Sequence, residues 1–154
     1  MEILGKQLAE EVEKFVKAKV VYQHRGTSMF GCDCTGMLIG ALRNLGYFKN
    51  YKLRLYKEDF NLHRDVDDHV RIELEKVANE VSDKPLEVGD IFLFQFARQP
   101  AHIGVYLRGN IFAHCYKDAG QCCYAVIEKS PWSKRLMGRY RLDLEKVVRI
   151  SNGR

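Results

Sequence analysis

Gly31-Cys32-Asp33-Cys34-Thr35-Gly36 runs directly into Met37-Leu38-Ile39-Gly40-Ala41-Leu42-Arg43-Asn44-Leu45-Gly46, and this junction restricts the chain more than any other stretch. Met37, Leu38, Ala41, Leu42 and Leu45 recur at helical spacing, and Gly46 stands where a helix commonly stops. The spacing predicts a helix with Cys34 at its start. Unpaired backbone N–H groups and the positive end of the helix dipole favour a thiolate there, which predicts a lowered thiol pKa. Cys34 is therefore a candidate nucleophile, and the rest of the chain has to supply its base, an orienting group and a cleft.

The 154 residues are expected to form one domain, 1–154, long enough to bury its own core. The apolar fraction of 46% and charged fraction of 29% are ordinary for a soluble protein. No apolar run is long enough to span a membrane. Met1 to Val20 alternates charged with apolar residues and lacks the apolar stretch of a secretory signal, so synthesis in the cytoplasm without a signal peptide is expected. The net charge of +5 is too weak to select among anionic partners, and neither nucleic acid nor membrane is assigned as one. Five cysteines, an odd number, argue against a complete disulfide framework and for a reducing compartment. Cys32, Cys115, Cys122 and Cys123 are then expected to be buried or idle thiols. A zinc site built from these, Cys34 and a histidine is the chemical rival. Its C-x-C and C-C spacings depart from the C-x₂₋₄-C pattern of structural zinc, so no metal and no cofactor is expected.

Along the chain, Leu4, Leu8, Val12, Phe15 and Val16 share one face of an amphipathic helix over 4–18. Val20 to Phe30 reads as an irregular loop lining a cleft. Tyr47 to Asn61 is aromatic and basic, either a cover on the core or a wall of the cleft. Val66, Val70, Ile72, Leu74 and Val77 predict a second helix over Asp65–Val81. Glu87-Val88-Gly89-Asp90 is a turn before Ile91–Phe96, a short apolar run typical of a buried strand. After a break at Ala97–Pro100, His102–Leu107 and Ile111–Tyr116 form a hairpin around Arg108-Gly109-Asn110. Tyr124–Ile127 and Arg139–Leu142 are further strands, with Ser130-Pro131-Trp132 as a turn between them. Helices first and an antiparallel sheet after make an α+β fold.

Cysteine hydrolysis needs an imidazole beside the thiol and a group that orients the imidazole. Five histidines are available, His24, His63, His69, His102 and His114. With a three-residue loop at 108–110, Leu107 faces Ile111, and His102, Gly104, Phe112 and His114 project from one face. A two-residue loop would turn one histidine to the other side. Asn110 tolerates the left-handed conformation that the longer loop needs.

Gly31 to Gly36 resembles the Asp-Cys-Ser/Thr-Gly box of the NlpC/P60 family of papain-like peptidoglycan peptidases, and the similarity runs from Tyr22 to Arg141. Leu86 to Ile91 resembles the turn into that family's first core strand. His102-Ile103-Gly104-Val105-Tyr106 resembles its histidine strand, and Phe112-Ala113-His114 the strand of the third polar residue. Glu128 to Trp132 and Arg139-Tyr140-Arg141 resemble phage and prophage cell-wall peptidases. The resemblance implies Cys34 as nucleophile, His102 as base and acid, and His114 as the residue orienting His102. It further implies oxyanion stabilisation by the Cys34 N–H and the Tyr22 hydroxyl, and Asp33 meeting a substrate amine. The implied substrate is the peptidoglycan stem peptide, cut after D-glutamate at its side-chain bond to a diamino acid. Phage-tail proteins are the implied partners, and the cell wall the implied site of action. His24-Arg25-Gly26, where many members have Trp-Gly-Gly, and Cys32 depart from the pattern. Two other readings compete: a catalytically silent tail or envelope module of the same fold, and a Cys/His amidase or acyltransferase on another substrate.

Overall fold

A computed structural model describes residues 2–49, 69–96 and 99–153, without the side chains of Glu2, His69 and 99–101. The helices are α1 (Glu2–Lys17), α2 (Cys34–Asn44), α3 (His69–Glu75), α4 (Trp132–Arg135) and α5 (Leu144–Ser151). Strands β1 (Thr27–Ser28) and β2 (Gly31–Cys32) pair as a small ribbon ahead of α2. The period-two patterning of the second half becomes an antiparallel sheet of β3 (Ala78–Glu80), β4 (Ile91–Phe96), β5 (Gln99–Arg108), β6 (Ile111–Tyr116), β7 (Gln121–Val126) and β8 (Leu136–Leu142), in the order β3-β8-β4-β5-β6-β7. This is the expected α+β architecture, helices packed on an antiparallel sheet.

Alternation along the central strands sorts their side chains onto two faces. Ile91, Leu93, Ile103, Val105, Ala113 and Cys115 join Leu8, Val12 and Phe15 of α1 and Met37, Leu38 and Leu42 of α2 in the main core. Phe92, Phe94 and Phe112 form a second core with Trp132, flanked by Phe96, Tyr106 and Tyr116. One aliphatic layer and one aromatic layer thus sit back to back. Asp90, fully buried at the start of β4, pairs with Arg139 at 2.5 Å and Arg141 at 2.8 Å, which fixes β4 beside β8. The paired partners offset the cost of burying that carboxylate.

The β5–β6 hairpin differs from the expected three-residue loop. Arg108 pairs with Ile111, leaving the two-residue turn Gly109-Asn110 with φ of 55° and 64°. Positive φ at both positions is the type I′ pattern, whose twist suits a hairpin. A register shift at Leu107 then restores the pairing to Tyr106–Phe112 and Val105–Ala113. The inserted residue undoes the flip that a short turn alone would cause, so His102, Gly104, Phe112 and His114 still share a face. A side chain at Gly104 would collide with the Phe112 ring.

Beyond Val105–Ala113 the β5–β6 ladder stops. Strand β4 stays paired with β5 as far as Phe96–Gln99, and β6 with β7 as far as Tyr116–Gln121. The sheet therefore opens between β5 and β6 at the level of His102 and His114.

Other expectations change. The helix predicted over Asp65–Val81 is helical at His69–Glu75 and becomes strand β3 at Ala78–Glu80; residues 65–68 lie outside the described residues. Val77, Ala78 and Val81 are buried, and a run so spaced satisfies either period. Of the aromatic stretch, Phe48 is buried and Tyr47 packs on the core, while 50–61 lie outside the described residues. Trp132 begins a helical turn rather than ending a loop, and α5, capped by Asp143, follows the last strand.

Candidate active site

Asp33 is the N-cap of α2. Its Oδ1 accepts from the Gly36 N–H at 2.7 Å and the Thr35 hydroxyl at 3.3 Å, and its Oδ2 from the Arg25 N–H at 2.8 Å. A carboxylate here satisfies orphan helix donors and ties the preceding loop to the helix start. A side chain at Gly36 would strike the Gly26 carbonyl, so the final glycine of the box lets the loop lie against the helix. The carboxylate expected to meet a substrate amine is thus 3% exposed and engaged through both oxygens. These contacts fix the start of α2, where Cys34 stands. Tyr22 is held beside the same segment: its N–H donates to the Gly120 carbonyl at 2.8 Å and its backbone bridges Cys32.

Cys34 occupies the first position of α2, as the spacing predicts, and is 9% exposed. Its acidity departs from the expectation. Burial drives the thiol well above its ordinary range, and the negative charge of Asp33 pushes the same way. Hydrogen bonding from the Ile103 and Thr35 N–H groups opposes this without overcoming it. The helix dipole is outweighed because the sulfur is enclosed by the aliphatic core. The Ile103 contact also locates the sulfur: it meets the backbone of β5 next to His102, on the stretch where β6 has left β5.

His102 and His114 reach that opening from the aromatic face. His102 Nε2 lies 2.8 Å from His114 Nδ1, and the two rings are 4% and 1% exposed. Phe96 stacks on His102 at 5.5 Å, and Tyr116 on His114 at 5.5 Å. Trp132 closes over both, 5.6 Å from His102 and 4.9 Å from His114. Burial holds His102 well below the usual imidazole pKa, with the His114 and Arg135 charges adding to it. Burial alone brings His114 down to about 4. Both imidazoles are neutral at pH 7.

The hydrogen bonds select tautomers. With Nε2 of His102 engaged by His114, only Nδ1 is left to take a proton from a thiol. That requires His102 to donate from Nε2, so His114 accepts at Nδ1 and carries its own proton on Nε2. Cys123 Sγ lies 3.5 Å from His114 Nε2 and accepts in that tautomer. A neutral thiol, a neutral base with a free lone pair and two further groups that fix its tautomer are equipped for nucleophilic attack on an acyl carbon.

Cys123, Phe96, Tyr116 and Trp132 are parts of this site that the sequence pattern did not single out. Tyr116 lies two residues beyond His114 on β6, an alternation that was an available signal, and Cys123 lies directly opposite His114 on β7. Trp132 arrives from sequence distance and left none.

Residues 19–141 match the profile of the NlpC/P60 family. Over 116 residues the chain is 26% identical to the protein of Escherichia coli K12 named murein DD-endopeptidase MepS/murein LD-carboxypeptidase, covering 75% of this chain and 52% of that protein. The chain thus spans about half the length of the curated relatives it matches. NlpC2 of Trichomonas vaginalis superposes with a TM-score of 0.62 at 20% identity, over 90% of this chain and 46% of that one. The NlpC/p60 domain of the peptidoglycan hydrolase SagA superposes with a TM-score of 0.59 at 14% identity, over 90% of this chain and 98% of that domain.

Proposed function

The chain belongs to the NlpC/P60 family, and on that premise we propose that it is a cysteine peptidase hydrolysing amide bonds in peptidoglycan stem peptides. The observation that carries this is the paired His102 and His114 at the edge of the opening in the sheet, next to the Ile103 backbone that hydrogen-bonds Cys34. The Cys34 sulfur is hydrogen-bonded to β5 beside His102, and His102 is held by His114 at 2.8 Å. The name of the Escherichia coli relative, a murein endopeptidase and carboxypeptidase, supports the substrate class.

Because the thiol is raised and the imidazole lowered, the resting pair is neutral. Attack is therefore general-base catalysed: His102 Nδ1 takes the Cys34 proton as sulfur bonds to the carbonyl carbon. The Cys34 N–H, at the helix start, stabilises the oxyanion, with the Tyr22 hydroxyl as a second donor. The imidazolium, steadied by His114, returns its proton to the departing amine as the C–N bond breaks. Water then attacks the thioester, giving a proton to His102, and Cys34 leaves as the thiol. The bond assigned is that of the D-glutamate side-chain carboxyl to the diamino acid. Delivery to the wall by a phage-type tail or on lysis is assigned with it, on the likeness of Glu128 to Trp132 and Arg139 to Arg141 to phage enzymes.

Purified peptidoglycan digested by the wild type is expected to release peptides whose masses identify that bond, and Cys34→Ala should lower release by at least about 10⁴-fold. Equal, absent release from both proteins would leave a silent module of the same fold. Cleavage only of another amide or acyl ester would move the enzyme to a different substrate.

A further inference from the structure

Three sulfur atoms that take no part in this chemistry converge inside the main core. Cys32 of β2, Cys115 of β6 and Cys122 of β7 are fully buried, and their sulfurs lie within 4.8 Å of one another. Cys32 Sγ is 3.4 Å from Cys122 Sγ, and the Cys115 thiol donates to the Cys32 carbonyl at 3.0 Å. The backbone holds all three carriers in place. Cys115 and Cys122 are direct cross-strand partners. The Cys122 N–H donates to the Val20 carbonyl at 2.8 Å and the Cys32 N–H to the Val21 carbonyl at 3.1 Å, so both strands hang from the segment leaving α1. Cys123, one residue on, points to the opposite face and meets His114.

We propose that Cys32, Cys115 and Cys122 form a three-sulfur binding site for a soft, thiophilic cation, Cu(I) being the ion the donor set suits. Sulfur ligands select soft ions and reject magnesium, calcium and manganese, which take oxygen. Structural zinc is four-coordinate, and among the described residues no fourth histidine, cysteine or carboxylate joins the three sulfurs. Cu(I) accepts three sulfur donors in a plane. Cys32, Cys115 and Cys122 each give up a thiol proton to solvent on loading, and the Cys115 hydrogen bond to the Cys32 carbonyl is exchanged for the bond to the ion. The bound ion clasps β2 to β6 and β7, two residues ahead of Cys34, and stabilises the folded chain by mass action.

The test is an anaerobic titration of the reduced protein with Cu(I) against bicinchoninate, with a parallel Zn(II) arm, read by stoichiometry, X-ray absorption and thermal melting. The expected result is one Cu(I) per chain, a first shell of three sulfurs, and a rise in melting temperature that Zn(II) does not reproduce. Cys34→Ser and Cys123→Ser should bind as the wild type does. Cys115→Ala and Cys122→Ala, with folding verified by circular dichroism, should lose the bound equivalent and the rise. The wild-type absorption spectrum counts the ligands directly, so the outcome is decided even where an alanine variant fails to fold. No binding, a shell with nitrogen, oxygen or only two sulfurs, tighter binding of Zn(II), undiminished binding by the alanine variants, or loss of binding in Cys34→Ser would overturn the assignment.

Discussion

On one face of the central sheet Ile91, Leu93, Ile103 and Val105 meet the helices, and α2 delivers Cys34 into that aliphatic layer. On the other, Phe92, Phe94, Phe96 and His102 lie among Tyr116 and Trp132, and His114 joins them from β6. Neighbours in sequence, His102 and Ile103, are thus divided between layers. Each layer therefore desolvates one half of the reacting pair. Aliphatic burial keeps the proton on sulfur, and aromatic burial keeps the imidazoles uncharged. In the proposed mechanism such a pair does not ionise in advance; it exchanges a proton when a substrate carbonyl arrives to accept the sulfur.

The strongest way to break the comparison is to cut equivalent holes in the two layers. His114→Ala should lower kcat about a hundredfold with little change in KM, because His102 Nε2 loses its acceptor. Leu93→Ala, on the other face, should cost about 2–5 kcal/mol in urea unfolding while kcat per folded molecule is retained. Equal losses of kcat in the two variants would mean that the layers do not act separately, and full activity in His114→Ala would remove that residue from the site.

Acid sharpens the distinction next. His114 has a folded pKa of about 4 against an ordinary 6.5, so the unfolded chain takes up its proton first as pH falls. The stability this group confers is complete above about pH 6.5, is lost as pH falls through about 4, and amounts to about 3 kcal/mol. His102 adds to the loss in the same direction. Trp132, the only tryptophan, sits against both rings and reports on this face alone. Its emission should shift before far-ultraviolet circular dichroism changes, and an unfolding free energy flat between pH 7 and 4.5 would contradict the burial of the pair.

The smallest effect is expected at Cys123. Removing the acceptor of His114 Nε2 in Cys123→Ala should slow kcat by about three- to tenfold, the worth of one modest hydrogen bond, and Cys123→Ser should restore it. An unchanged pH–rate profile in Cys123→Ala would show that the thiol does not help choose the tautomer.

What is legible in the sequence is local. Asp33, Cys34 and Gly36 announce a capped helix with a cysteine at its head, and alternation puts His102 and His114 on one face. Four things are not legible. The acidity of Cys34 escapes a local reading because the dipole is a property of its own helix, whereas desolvation comes from β5 and β6. The turn at Gly109-Asn110 reads one residue too long because the insertion at Leu107 gives the same facing of side chains. Strand β3 passes for helix because the buried Val77, Ala78 and Val81 in and around it fit both periods. That Cys32, Cys115 and Cys122 group without Cys34 or Cys123 is not legible because spacing rules describe ligands on one hairpin, and these come from three strands.

The extra residue at Leu107 has a wider meaning. It acts as a parity bit for everything between the turn and the imidazoles. Excising that one residue would leave Cys34, His102 and His114 spelled correctly in the gene while presenting one ring to the wrong side. A homologue can therefore fall silent through a single-codon deletion at the buried position beside a turn, and a census of catalytic letters would count it as active.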